Sequence, residues 1–504
     1  MLRLRYSESP LDPHDAFLDG PIQMLVSTLV GLDEDMHTVP ALAESWVFTD
    51  DQRHVTFHLR EASYSNGEPI VAADFVYGWR RLLDPREGWD LSENLADVAG
   101  AADLLAIEAD ALPPNEVIDD LLDALGVSAP DERTLEVDLV REAPAFVAVV
   151  THYATAPIPE SWITQPGATE AGNYVSSGPY VLTEWVHDER QELEPNPMWW
   201  GEPSRLTRIE MRTFDLDPDA FDAYQRGELD ILEDMGETSD FADQVRPTPG
   251  TNVQYLRFDL LKPGSPTASS PDLRRALSLS VNQEALREII GWGGHAAGSV
   301  IPPEMPGHDP SLEPTFDPEA ARASLDRALA DLGLARADQL RLSMMYPASW
   351  FETSSQGAGY LAAQWRDLLG IEVETIPLEG HTYDQYEGHD HDMVWEGWFP
   401  DYPHQEAYLR PLYACHGSFN VWGYCNPAVD ELLEAAARTA DVDEQRAIYL
   451  DAQRLVVDDS ASLFLGWPGR ADTMVAPWVE GLILTPMDLS PGSLFMPQVR
   501  IAPH

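Results

Sequence analysis

Apolar and polar positions along this chain switch between two periods, and the switches mark its elements. Val55, Phe57 and Leu59 alternate with Thr56, His58 and Arg60, which predicts a strand with one apolar face. Asn66-Gly67 follows, a turn pair that favours a positive φ. Ala72 to Leu83 then carries Phe75, Val76, Trp79, Leu82 and Leu83 at helical spacing. The residue before that helix is Val71. Its side chain accepts no amide, so the helix start is expected to be weaker by about 1 kcal/mol than one capped by Thr. Asp74 in the first turn compensates in part through the helix dipole.

Further alternating stretches predict strands at 2–6 and 134–140, a hairpin from 180–185 and 190–194, and strands at 207–214, 253–258, 340–346, 371–376 and 462–467. Helical spacing is read at 20–32, 221–227, 271–290 and 359–369. The 271–290 stretch splits near Asn282, a good N-cap for its second half. Asn426 with Pro427 opens another helix, and Asp443 is expected to cap one running to Val457. The strand–helix–strand order over 340–376 favours parallel pairing, so the fold class is α/β. An acidic stretch from Glu108 to Asp123 is expected at the surface.

Composition narrows the function classes. The chain has 504 residues, 44% of them hydrophobic, enough for more than one core. No apolar run reaches the roughly 18 residues a membrane-spanning helix needs. With 86 acidic against 31 basic residues the net charge is -55, so nucleic acid is not expected as a partner. Lys262 is the only lysine. Two readings of the acidity stand: a GC-rich genome with an ordinary solvated surface, or adaptation to high salt, where screening weakens carboxylate repulsion. Two cysteines, Cys415 and Cys425, suit a small disulfide loop and an oxidising compartment, with free thiols as the alternative. No basic n-region, apolar core or cleavage site is read ahead of the first strand, so an export signal is expected to be missing from this sequence, whether trimmed, lost to a misplaced start or truly absent.

Several ordered motifs carry a resemblance. The segments LAESW (42–46), FHLR (57–60), SNGEP (65–69) and WRRLLDP (79–85), the SSGPY hairpin from Ser176, the 196–200 segment NPMWW and the RGELDIL step at 226–232 together resemble the solute-binding proteins of ATP-driven oligopeptide importers, extracellular solute-binding protein family 5. The resemblance implies a periplasmic-binding-protein-like type II fold: two lobes joined by a two-strand hinge, with an inserted subdomain and ligand held by lobe closure. On that reading lobe I is 1–40 with 175–252 and 466–504, its inserted subdomain is 41–174, and lobe II is 253–465. It also implies an extracytoplasmic monomer that binds peptide and passes it to membrane permease subunits, with no cofactor and no catalytic residues.

The same resemblance points to a site in 393–409. There a Gly-Trp pair followed by Asp-Tyr supplies an acid for the ligand's α-ammonium, and Asp401 occupies that position. Backbone around Gly397 and Phe399 would pair with an added peptide strand, and Trp398 and Tyr402 would wall side-chain pockets. Where relatives carry Arg for a peptide carboxylate, this chain has Trp395 and Glu396, which puts C-terminal recognition in doubt. A second candidate is His381, His389 and His391 amid Asp384, Glu387, Asp390 and Asp392, donors suited to a transition metal. It supports the alternatives of a nickel or metal-chelate carrier, beside that of a regulator's sensing domain. Enzymatic motifs are missing, and the Gly291–Gly294 turn lacks the helix signature a phosphate loop needs.

Overall fold

The computed structural model describes residues 1–15, 20–108, 110–214, 217–233, 241–291, 294–312, 314–348, 353–378, 390–439, 441–469 and 472–503. The chain divides into two compact units: Met1–Thr248 with Ala471–His504, and Pro249–Arg470.

The first unit is built on a seven-stranded sheet with Leu2–Arg5 in its middle. Its neighbours, Ile209–Arg212 and Ile231–Glu233, both run parallel to it. Leu2 and Leu4 are fully buried. Asp230 fixes the strand from the side, accepting from the Arg3 amide at 2.8 Å, from its guanidinium at 2.7 and 3.0 Å, and from the Trp478 indole at 2.8 Å. The predicted hairpin forms as Tyr180–Val186 and Arg190–Pro195.

A separate four-stranded antiparallel sheet lies within residues 43–138, with the Ala72–Leu82 helix against it. Phe75 and Trp79 face inward, and the Trp79 indole donates to the Thr155 carbonyl at 3.0 Å. The Asn66-Gly67 turn has φ +87° at the glycine. At the helix start Val71 makes no side-chain cap, as expected. Asp74 does more than act on the dipole, because its carboxylate accepts from the Val71 amide at 3.0 Å and from the Tyr64 hydroxyl at 3.0 Å.

Two expectations are corrected. Residues 20–32 are not one helix: only Ile22–Leu25 is helical, Val26 is extended, and Val30–Leu32 is a strand. Distant partners claim the backbone that a helix would use. Gly178 donates its amide to Leu25, Ala43 donates to Leu29, and the Ser27 amide donates to the Ser177 hydroxyl. The second correction is smaller. Asp441, not Asp443, caps the Val442–Asp458 helix, its carboxylate accepting from the Glu444 amide at 2.9 Å. The backbone is extended at Asp441, so the helix begins there and Asp443 falls inside its first turn.

The second unit has a five-stranded sheet in the order Glu372–Leu378, Arg341–Pro347, Met393–Trp398, Val253–Phe258, Ser462–Gly466. The first two strands are parallel and are joined through the Ser354–Leu369 helix, as their sequence order requires. Leu256, Phe258, Met393 and Trp395 share a core with Leu273, Leu277 and Trp365. Asn282 and Asn426 cap their helices, accepting from the Ala285 and Ala428 amides at 3.1 and 3.0 Å. No helix among the described residues is long and apolar enough to cross a membrane.

Candidate functional site

The Met393–Trp398 strand carries the candidate site at one end. It runs antiparallel to Val253–Phe258, with Trp398 opposite Val253 and Gly397 opposite Gln254. Gln254 in turn faces Gly466 of the outgoing strand. Val253 lies just after the chain enters this unit, and Gly466 just before it leaves. The Trp398 end is therefore the end of the sheet where both crossings occur. On the strand's other side, the described pairing with Arg341–Pro347 stops at Met345 opposite Val394. From Trp395 onward the strand has a described strand neighbour on one side alone.

Past Trp398 the chain turns. Pro400 and Pro403 are buried and can donate no backbone hydrogen bond. Between them Asp401 and Tyr402 are half-buried, and Phe399 is 49% exposed. The Tyr402 carbonyl accepts from the His404 amide at 2.8 Å. Trp398 is held firmly. Its indole donates to the Ala407 carbonyl at 2.8 Å, and its ring meets Phe419 edge-on at 4.7 Å. The structure thus places Gly397, Trp398, Phe399, Asp401 and Tyr402 in one continuous strand end and turn.

Glu396 has a role that the sequence did not reveal. Its carboxylate accepts from the Arg257 guanidinium at 2.7 Å, and Arg257 is fully buried. Burial pushes the Glu396 carboxyl above its ordinary range, while Arg257 and a Tyr255 hydrogen bond oppose that shift. The Arg257 guanidinium also faces the Trp422 ring at 5.5 Å. The signal in the sequence was partial: Arg257 falls inside the 253–258 stretch read as a strand, and the structure buries every residue of it. A cation there needs an acid from a neighbouring strand.

The opposite end of the strand explains part of the second candidate. Asp392 is buried and accepts from the Ser265 hydroxyl at 2.6 Å, the Ser343 amide at 2.9 Å and the Ser343 hydroxyl at 3.1 Å. Lys262 pairs with it at 3.0 Å. The His391 imidazole is pushed below its ordinary range, first by burial and then by Lys262. His381, Asp384, Glu387 and His389 lie outside the described residues, as do Trp292 and Gly293 of the glycine turn. Among the described residues no group of three or more His, Cys, Asp or Glu is placed to hold a metal ion. Cys415 and Cys425 are joined as a disulfide.

Comparisons with known proteins agree with this architecture. The family model for bacterial extracellular solute-binding proteins, family 5, matches residues 37–420. The periplasmic murein peptide-binding protein MppA of Escherichia coli K12 is 28% identical over 493 residues, covering 94% of this chain and 88% of that protein. The probable deoxycholate-binding periplasmic protein YgiS of the same organism is 27% identical over 494 residues, covering 94% and 87%. A solved structure of MppA in its unliganded open form matches with a TM-score of 0.81 at 27% identity, over 100% of this chain and 97% of that one. The family match spans well over half of the sequence, and the chain belongs to the bacterial extracellular solute-binding proteins, family 5.

Proposed function

We propose that this protein captures peptides outside the cytoplasm and delivers them to an ATP-driven membrane permease, doing no chemistry on its cargo. The observation that carries this reading is the Trp398 end of the Met393–Trp398 strand. It combines a strand edge with one described neighbour, an exposed Phe399 and a half-buried Asp401, where the chain enters and leaves its unit. A peptide backbone adds to such an edge without regard to side chains. Asp401 pairs with the ligand's α-ammonium, and the charge-assisted bond fixes peptide direction. Lobe closure, as the family resemblance implies, strengthens that pair by excluding water.

Likeness alone does not choose the ligand, since one relative is named for a murein peptide and another for deoxycholate. Charge favours the peptide. A steroid acid would bring its carboxylate to a site bearing Asp401, on a chain of net charge -55. The test is a thermal-shift screen of di- to penta-peptides, their N-acetylated forms, deoxycholate and nickel. Free-amine peptides are expected to raise the melting temperature by mass action, and their acetylated forms to raise it far less. Stabilisation by deoxycholate or nickel with none by any peptide overturns the reading.

A further inference from the structure

Trp398 depends on a neighbour for its position. The ring edge-on to it at 4.7 Å is Phe419, which lies inside the loop closed by the Cys415–Cys425 bond. Trp422 lies in the same loop, buried, with its ring 5.5 Å from the Arg257 guanidinium and 6.4 Å from the Tyr255 ring. Arg257 is the partner of Glu396. One loop therefore bears on both residues that flank Gly397: on Trp398 directly and on Glu396 through Arg257.

The loop is built to stay against this wall. The Asn420 side-chain amide donates to the Ala414 carbonyl at 2.7 Å and to the Tyr424 carbonyl at 2.6 Å, drawing the two ends together. The Cys415 amide donates to Asp430 at 2.9 Å, and the Trp422 carbonyl accepts from the Leu260 amide at 2.9 Å. Gly417 sits so close to the Glu406–Tyr413 helix that a Cβ there would fall 2.4 Å from the Arg410 and Pro411 carbonyl oxygens. Opening the cross-link returns conformational freedom to a short segment that must keep two large rings turned inward.

We propose that the disulfide-closed loop 415–425 is a positioning device for the ligand site. Phe419 and Trp422 hold Trp398 and the Glu396-Gly397 backbone in binding geometry, so ligand affinity depends on the Cys415–Cys425 bond. The affinity part of this inference rests on the peptide reading above; the positioning part does not.

The test uses full-length protein carrying fluorotryptophan. The Trp398 fluorine resonance is identified among the 15 tryptophans by its loss in Trp398→Phe. Two variants are compared with the parent: Cys415→Ser with Cys425→Ser, and Phe419→Leu, which keeps the disulfide should the first not fold. In each, the ligand-free Trp398 resonance is expected to move. The Kd of a tripeptide with a free amino end is expected to rise about three- to tenfold, the scale of one lost aromatic contact. Phe419→Tyr restores both readouts. An unmoved Trp398 resonance in the folded variants overturns the inference, and so does a moved resonance with an unchanged Kd. If the parent binds no peptide, the functional reading fails, while the ligand-free resonance still decides whether the loop positions Trp398.

Discussion

At the Met393 end of the site strand a carboxylate is enclosed by donors, and at the Trp398 end a carboxylate follows an edge with a described strand neighbour on one side. Asp392 has two serines and the chain's single lysine around it. Asp401 stands half-buried in a proline-flanked turn beyond the last strand residue. With 86 acids and 31 bases, most carboxylates of this protein cannot have a cation of their own. The count of acids therefore says nothing about the role of any one of them. What separates the two ends is burial: Asp392 is buried among serine and lysine donors, and Asp401 is half-buried in its turn. A buried acid among several donors is part of the architecture, whereas the half-buried Asp401 keeps part of its surface exposed, as the proposed contact with a cationic guest requires.

The sharpest way to break this contrast is Asp392→Ala. It removes the carboxylate that Lys262 and the Ser343 amide share, leaving Lys262 only a long 3.5 Å contact to the Ser343 hydroxyl, and a broken buried pair costs about 3–5 kcal/mol. Lys262 keeps some exposure, 23% of its side chain, so about 3 kcal/mol is expected in urea unfolding. A loss below about 1 kcal/mol would mean that the enclosure is incidental.

Asp401→Asn should behave in the opposite way. Stability is expected to change by less than about 0.5 kcal/mol. Affinity for free-amine peptides should fall about ten- to hundredfold, the scale of a charge-assisted hydrogen bond. Titration calorimetry with acetylated peptides should show no comparable loss. Equal losses for both peptide forms would remove Asp401 as the amine anchor.

Glu396, between the two ends, sharpens the contrast through pH. Burial holds its folded pKa above the ordinary value of 4.5, so the folded state keeps this proton to higher pH than the unfolded chain does. Its contribution to stability is therefore fully present below that ordinary value and is lost as pH rises through the folded pKa. Glu396→Gln should flatten that part of the stability profile, read by urea unfolding at a series of pH values. A slope unchanged by the substitution would show that Glu396 titrates as it does in the unfolded chain.

The sequence made the local parts of this contrast legible and left the long-range parts hidden. Period-two alternation located strands such as His54–Leu59, Thr134–Asp138 and Val253–Phe258, though not Ala43–Phe48 or Val127–Asp131, and Asn282 and Asn426 announced their helices, because these signals act within a few residues. The 20–32 segment failed because its backbone partners, Ser177 and Gly178, come from a distant part of the chain. The Glu396–Arg257 pair was hidden for the same reason, its members being 139 residues apart. Asp401 is proposed from motif resemblance alone; its local pattern reads more readily as a turn residue or a cap before Pro403. The enclosure of Asp392 by Ser265 and Ser343 has no sequence signature, since those serines come 127 and 49 residues earlier.

The smallest effect is a coupling that should be absent. Ser265→Ala removes one donor from Asp392 and leaves Ser343 and Lys262 in place, so a loss of about 1 kcal/mol is expected. The strand's six residues, at about 3.3 Å per step, separate its ends by roughly 17 Å. Substitutions that far apart with no shared partner add within about 0.5 kcal/mol. Ser265→Ala combined with Asp401→Asn should therefore unfold at the summed stability change, and its peptide affinity should match that of Asp401→Asn alone. A coupling above about 1 kcal/mol would mean that the strand transmits strain from its Met393 end to its Trp398 end. The two acids would then be parts of one device, and the contrast between them would be wrong.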